Sequence, residues 1–189
     1  MPVDFAQTSE NAALHAMRNL GLCRGRQSEI GQGMRAVSAD PDLTLVATLG
    51  SCVAIFLHDP QLNCGGMNHI FQCVDPGPLG GASVVAEVEA LVNEMVHLGS
   101  SRRNMQCRIA GGARTLGRGR DHGGDIARVC LEYLAAEGLT LLEQDLGGTR
   151  PRRIAFKPVQ GLLTISYPGS SLVVEEAPAA AQTNGAELF

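Results

Sequence analysis

The stretch ATLGSCVAIFLHDP, residues 47–60, constrains this chain more than any other. It reads as a hydrophobic strand, Leu43 to Leu49, broken by a Gly50-Ser51-Cys52 corner. A second core strand, Cys52 to Leu57, follows and stops at Asp59-Pro60. A buried structural thiol has no need of such a corner. A nucleophile does, because a sharp turn can aim backbone N–H groups at the oxyanion that forms during acyl transfer. Gly50 and Ser51 are therefore candidate substrate and oxyanion residues. Cys52 is the candidate nucleophile, which attacks as a thiolate and needs a base or a positive surrounding. Taken alone, Cys52 reads better as a small hydrophobe in a core.

The candidate base is His69, at the end of GGMNH, within residues 63–71, a glycine turn leading into a third strand. Two strands joined by a turn can bring an imidazole opposite a thiol, where it takes the thiol proton and returns it to a leaving group. Read by itself, His69 is a satisfied core histidine. His15, His58, His97 and His122 lack a comparable glycine setting and read as surface or packing residues. Cys64, His69 and Cys73 are close in sequence but do not have a zinc-site spacing, so no metal is expected. The glycine-rich IAGGARTLGRG and LGGTRPRR match neither phosphate-binding form and read as structural turns. No cofactor fingerprint is present, and none is expected.

Helical spacing of Val85, Val88, Leu91, Val92 and Met95 predicts a helix over 83–98, with Ser83 and Gly99 at its ends. Ile126, Val129, Cys130, Tyr133 and Leu134 predict a second over 125–137, with Asp125 as N-cap and Gly138 as C-cap. Further strands fall at MQCRIAGGA, LTLLEQD, RRIAFKP, LLTISY and SLVVEE, with Gly161 at a hairpin turn. Strands and helices do not alternate strictly. The order fits an α+β fold, with mixed and antiparallel sheets in a sandwich-like core and two main helices packed on it, rather than a doubly wound sheet. Residues 1–30 read as an N-terminal extension with a helix starting near Ser9, residues 31–175 as the domain, and 176–189 as a disordered tail.

Six cysteines invite a disulfide reading, but the first twenty residues lack the basic and apolar regions of a signal peptide, and no apolar run approaches a membrane span. A reduced, cytoplasmic protein is expected. The net charge of -4 argues against nucleic acid as the main ligand.

LGSCVAIFLHDP, GGMNH, IAGGA and DLGGTRPRRI, in this order and approximate spacing, resemble the bacterial chemoreceptor glutamine deamidases, the CheD family. The resemblance covers about residues 31–175. It implies a mixed α+β fold similar to toxin glutamine deamidases, and hydrolysis of selected glutamine side chains to glutamate. The implied targets are the cytoplasmic helices of methyl-accepting chemotaxis receptors, and some relatives also bind a phosphatase of the chemotaxis response regulator. The family nucleophile falls on Cys52 and its histidine on His69. Its third catalytic residue, a threonine six positions before the cysteine, falls on Val46. Thr44 and Thr48 share that strand face, and Thr48 is the preferred substitute. The family's Arg-Asn pair at the second helix is Asp125-Ile126 here, and its Tyr-Gly before the first is Ser83-Val84. The alternative to an enzyme is a weakly active or inactive relative that binds receptors or the phosphatase. Amide hydrolysis on a small molecule is a third reading.

Overall fold

The uninterrupted apolar run of the central strand has a simple cause: both of its faces are covered. In a computed structural model describing residues 25–168, apart from 72, 73, 76, 78 and 116–118, this strand is β4 (Val53–Asp59). Val53, Ile55 and Leu57 point into one core, whereas Cys52, Ala54 and Phe56 point into another. The period of two that a strand imposes thus divides one sequence run between two layers.

The preceding elements are β1 (Arg26–Glu29), β2 (Arg35–Ser38) and β3 (Leu43–Leu49); β5 (Cys64–Asn68) follows β4. Helix α1 (Ala82–His97), a 3-10 turn at Arg102–Asn104, β6 (Gln106–Gly111), helix α2 (His122–Ala136), β7 (Thr140–Leu146), β8 (Arg152–Lys157) and β9 (Leu162–Ser166) complete the described order. A four-stranded sheet, β1-β3-β8-β9, faces a five-stranded one, β2-β5-β4-β6-β7. The β1–β3 and β6–β7 pairs are parallel and the rest antiparallel.

Leu45, Ala47 and Leu49 of β3, with Ile154 and Phe156 of β8, pack against Phe56, Met67 and Ala110 between the sheets. The rings of Phe56 and Phe156 cross with centroids 5.4 Å apart. Val84, Val88, Leu91, Val92 and Met95 of α1, and Ile126, Val129, Cys130 and Leu134 of α2, cover the far face of the five-stranded sheet. The fold is α+β, as its element order implied.

The differences from the sequence-based elements are local. The second core strand begins at Val53 rather than Cys52, and the third is limited to Cys64–Asn68. Helix α1 is capped at Gly81, not Ser83, with no side-chain cap. Helix α2 starts three residues before Asp125. Its cap is Asp121, whose carboxylate accepts the Gly124 N–H, so the helix begins through His122-Gly123-Gly124. Two glycines in a first turn hide a helix start from propensity. The four-stranded sheet begins at Arg26, inside the segment read as an extension. The helix near Ser9, the strand at SLVVEE, the tail, Cys23 and Cys73 lie outside the described residues. Among the described residues, no helix is long and apolar enough to cross a membrane.

Candidate active site

β4 and β5 pair in one antiparallel register from Phe56–Met67 to Asp59–Cys64. An isolated bridge between Val53 and Ile70 continues the same register. Directly opposed residues share a face, so this pairing sets His69 opposite Ala54 and Phe71 opposite Cys52. His69 is therefore the diagonal neighbour of Cys52 on the face turned to the other sheet. Such neighbours have Cα atoms about 7–8 Å apart, with Cβ atoms somewhat nearer.

The ladder is interrupted just before His69. The Asn68 side chain takes the place of a main-chain acceptor, with Oδ1 accepting the Ile55 N–H at 2.9 Å and Nδ2 donating to the Glu87 carbonyl of α1. The imidazole itself is held from behind. Its Nδ1 is 2.9 Å from the carbonyl of Ile30. A carbonyl can only accept, so Nδ1 carries the proton and Nε2 is left to take one. Among the described residues Nε2 is buried without a hydrogen-bond partner. A buried nitrogen left unpaired is costly, and a group that accepts a proton during a reaction must have that vacancy.

Cys52 is 8% exposed and His69 5%. Burial raises the Cys52 thiol above the ordinary value of 9.0, and its own backbone N–H partly offsets this by favouring the thiolate. The resting sulfur is thus a thiol, contrary to the lowered pKa of a pre-ionised nucleophile, and it needs a base at the moment of attack.

The corner is buttressed from two other motifs. Gly112 N–H donates to the Cys52 carbonyl at 2.7 Å and Ala113 N–H to that of Gly50 at 2.8 Å. A Cβ on Gly111, whose φ is +119°, would lie 2.2 Å from the Cys52 oxygen, so only glycine fits there. Behind IAGGA stands DLGGTRPRR: Gly147 N–H donates to the Gly111 carbonyl and Arg114 N–H to that of Gly148. The Gly147 turn is gripped by Arg152, which donates to its carbonyl at 2.8 Å and pairs with Asp145 at 2.9 Å. Arg152 is almost wholly buried. Burial would raise the Asp145 carboxyl, but hydrogen bonds from Arg152 and Tyr167 and the Arg152 charge hold it below its ordinary value.

Four separated motifs therefore meet at one end of the sandwich. Beside Ser51 a cavity of about 200 Å³ is lined also by Thr115, Arg120 and His122. Ile30, Asn68, Gly111 and Arg152 are missing from the sequence-based site. The two GG motifs were a signal, but as turns they did not say what they turn against. The Ile30 contribution comes from its backbone and has no residue signature.

Thr48 is not brought to this face. Leu45, Ala47 and Leu49 of β3 point to the inter-sheet core, so Thr44, Val46 and Thr48 point to the other side of their sheet. There the Thr48 hydroxyl accepts a 2.7 Å hydrogen bond from Arg153, and Val46 packs with Ala155. Cys64 and His69 also diverge, since Cys64 belongs to the helix-side core. Among the described residues, no group of three or more His, Cys, Asp or Glu side chains is placed to hold a metal.

A thiol with an adjacent proton-accepting imidazole, at the rim of an α+β sandwich, is equipped for nucleophilic acyl transfer. The family model for CheD chemotactic sensory transduction matches residues 80–167. A probable chemoreceptor glutamine deamidase CheD of Jannaschia sp. is 35% identical over 175 residues, covering 92% of this chain and 100% of the relative. Those of Agrobacterium fabrum and Rhizobium meliloti are 33% and 34% identical, each over 72% of this chain and 77% and 78% of their own. The chain belongs to the CheD family. Among solved structures, the Bacillus licheniformis hypothetical protein YfiH overlaps at a TM-score of 0.45 with 14% identity, over 67% of this chain and 61% of its own.

Proposed function

We propose that the chain is a chemoreceptor glutamine deamidase using Cys52 as nucleophile and His69 as acid and base. The relatives' names supply the reaction and the receptor substrate. The observation that carries the residue assignment is the His69 ring, fixed through Nδ1 by Ile30 on the sheet face of Cys52, with its Nε2 unpartnered among the described residues.

Sulfur attacks the side-chain amide carbon of glutamine while Nε2 takes the thiol proton. The C–S bond forms and the carbonyl oxygen becomes an oxyanion, which the N–H groups of the Gly50-Ser51-Cys52 corner receive in this reading. The protonated Nε2 gives its proton to the amide nitrogen, the C–N bond breaks, and ammonia leaves a thioester. Water then attacks, with Nε2 accepting its proton. The C–S bond breaks, the proton returns to sulfur, and the product is glutamate. Thr48 has no part in these steps.

Intact-mass measurement of a receptor cytoplasmic fragment incubated with the protein tests the function. Each conversion replaces NH₂ by OH and adds about one dalton through the acyl-transfer chemistry of the thiol. A fragment of unchanged mass after complete incubation would overturn the assignment.

A further inference from the structure

Access to the Cys52–His69 face is bordered by two large apolar side chains. Phe71 stands opposite Cys52 by register and is 48% exposed; Met34 is 54% exposed. The turn from Ile30 to Met34 joins them to the imidazole. Ile30 accepts from His69 Nδ1, Gly33 N–H donates to the His69 carbonyl, and His69 N–H donates to that of Met34. Gly33 lies directly against the Phe71 ring, and Gly31 beneath the Met34 sulfur. The segment that fixes the base thus also presents an apolar shelf at the same rim. An exposed Leu or Phe by itself needs no explanation. Two of them on the turn that holds His69 do need one: Met34 bonds the His69 backbone, Phe71 packs on Gly33 of the same turn, and a protein side chain must enter beside them.

We propose that Met34 and Phe71 form the docking shelf for the apolar face of the receptor helix that delivers the glutamine. This inference rests on the deamidase reading above. The chemistry of the occupant follows from the site. A glutamine reaching a nearly closed thiol must come from a segment lying flat across the rim. On a helix, the residues three and four positions away lie on the same face as the glutamine, and these come down over the shelf. Methionine suits such a surface because its unbranched thioether adapts to different apolar partners.

Binding of a receptor cytoplasmic fragment is measured in the Cys52→Ala background, so that no turnover intervenes. Met34→Ser and Phe71→Ser each weaken the fragment's Kd by about tenfold or more, while Met34→Leu and Phe71→Leu stay within about twofold. Leu162→Ser is the control: Leu162 is 43% exposed at the opposite end of the sandwich, and its loss leaves Kd unchanged. Wild-type affinity in both shelf serine variants overturns the proposal. So does equal weakening by Leu162→Ser, or a dimer of the free chain that the shelf substitutions dissociate. Ammonia release by Cys52→Ala itself would sink the catalytic assignment and leave the binding result standing.

Discussion

His58 and His69 occupy opposite ends of the same sandwich and are held alike. Both are buried, and each donates from Nδ1 to a main-chain carbonyl at 2.9 Å, that of Pro158 for His58 and of Ile30 for His69. The β4–β5 register turns both toward the opposing sheet, since His58 pairs with Gly65. The difference lies in what meets the rest of the ring. The His58 imidazole lies against Gly161, where a Cβ would be 2.5 Å from it, and the ring closes the hairpin between β8 and β9. Among the described residues the Nε2 of His69 has no hydrogen-bond partner, and a thiol stands on the neighbouring strand. Identical fixation thus closes a hairpin at one end and, in the proposed reaction, holds the base at the other. The fixing hydrogen bond is the same at both ends; what surrounds the rest of the ring differs.

The most direct way to break this contrast is to replace each histidine by leucine. Both changes orphan a buried carbonyl, so each lowers stability by about 1–3 kcal/mol in denaturant titration. Only His69→Leu removes the proposed proton carrier, and its kcat falls by about 10²–10⁴-fold. His58→Leu retains kcat per folded molecule. Equal kinetic losses in the two variants would erase the distinction.

Gly111→Ala sharpens the contrast by disturbing only the motif end. The added methyl conflicts with the Cys52 carbonyl and with a φ of +119°. A stability loss of about 1–3 kcal/mol is expected, accompanied by a fall in kcat as the corner shifts. Melting and turnover measurements on one preparation check both. A variant with wild-type turnover would show that the IAGGA turn does not hold the nucleophile.

The smallest effect concerns pH and the thiols that pack in the helix-side core. Burial pushes Cys107 up to about 12, with Cys130 adding to the rise and Arg108 opposing it. Burial does the same to Cys130, also to about 12. These groups keep their protons in the native state while the unfolded chain releases them near the ordinary value of 9.0. The unfolded state then binds fewer protons, so stability is full below that value and falls as pH rises toward 12. Cys130→Ala lessens this alkaline slope in denaturant titrations between these limits. An unchanged slope would contradict the assignment.

Much of this contrast was legible in the residues. The apolar run of β4 and the helical spacing of α1 and α2 follow from periodicity. The glycine settings of Cys52 and His69 made them candidates, and the family resemblance put them forward as a pair. Thr48 was misplaced for a physical reason. Alternation along β3 groups Thr44, Val46 and Thr48 correctly, but it does not say which face meets the other sheet. Leu45, Ala47 and Leu49 decide that by filling the inter-sheet core. The early start of α2 was hidden by Gly123-Gly124. The hold on His69 escaped because it comes from the Ile30 backbone, and the grip of Arg152 on Gly147 because a buried arginine in a charged, glycine-rich stretch looks like any solvated loop residue.

Ammonia release from a receptor fragment, compared between the wild-type chain, Cys52→Ala and Thr48→Val, tests the central claim most directly. Cys52→Ala is expected to release none, and Thr48→Val to stay within about twofold of wild type, since its hydroxyl accepts from Arg153 on the far face. Continued release by Cys52→Ala would contradict the account outright.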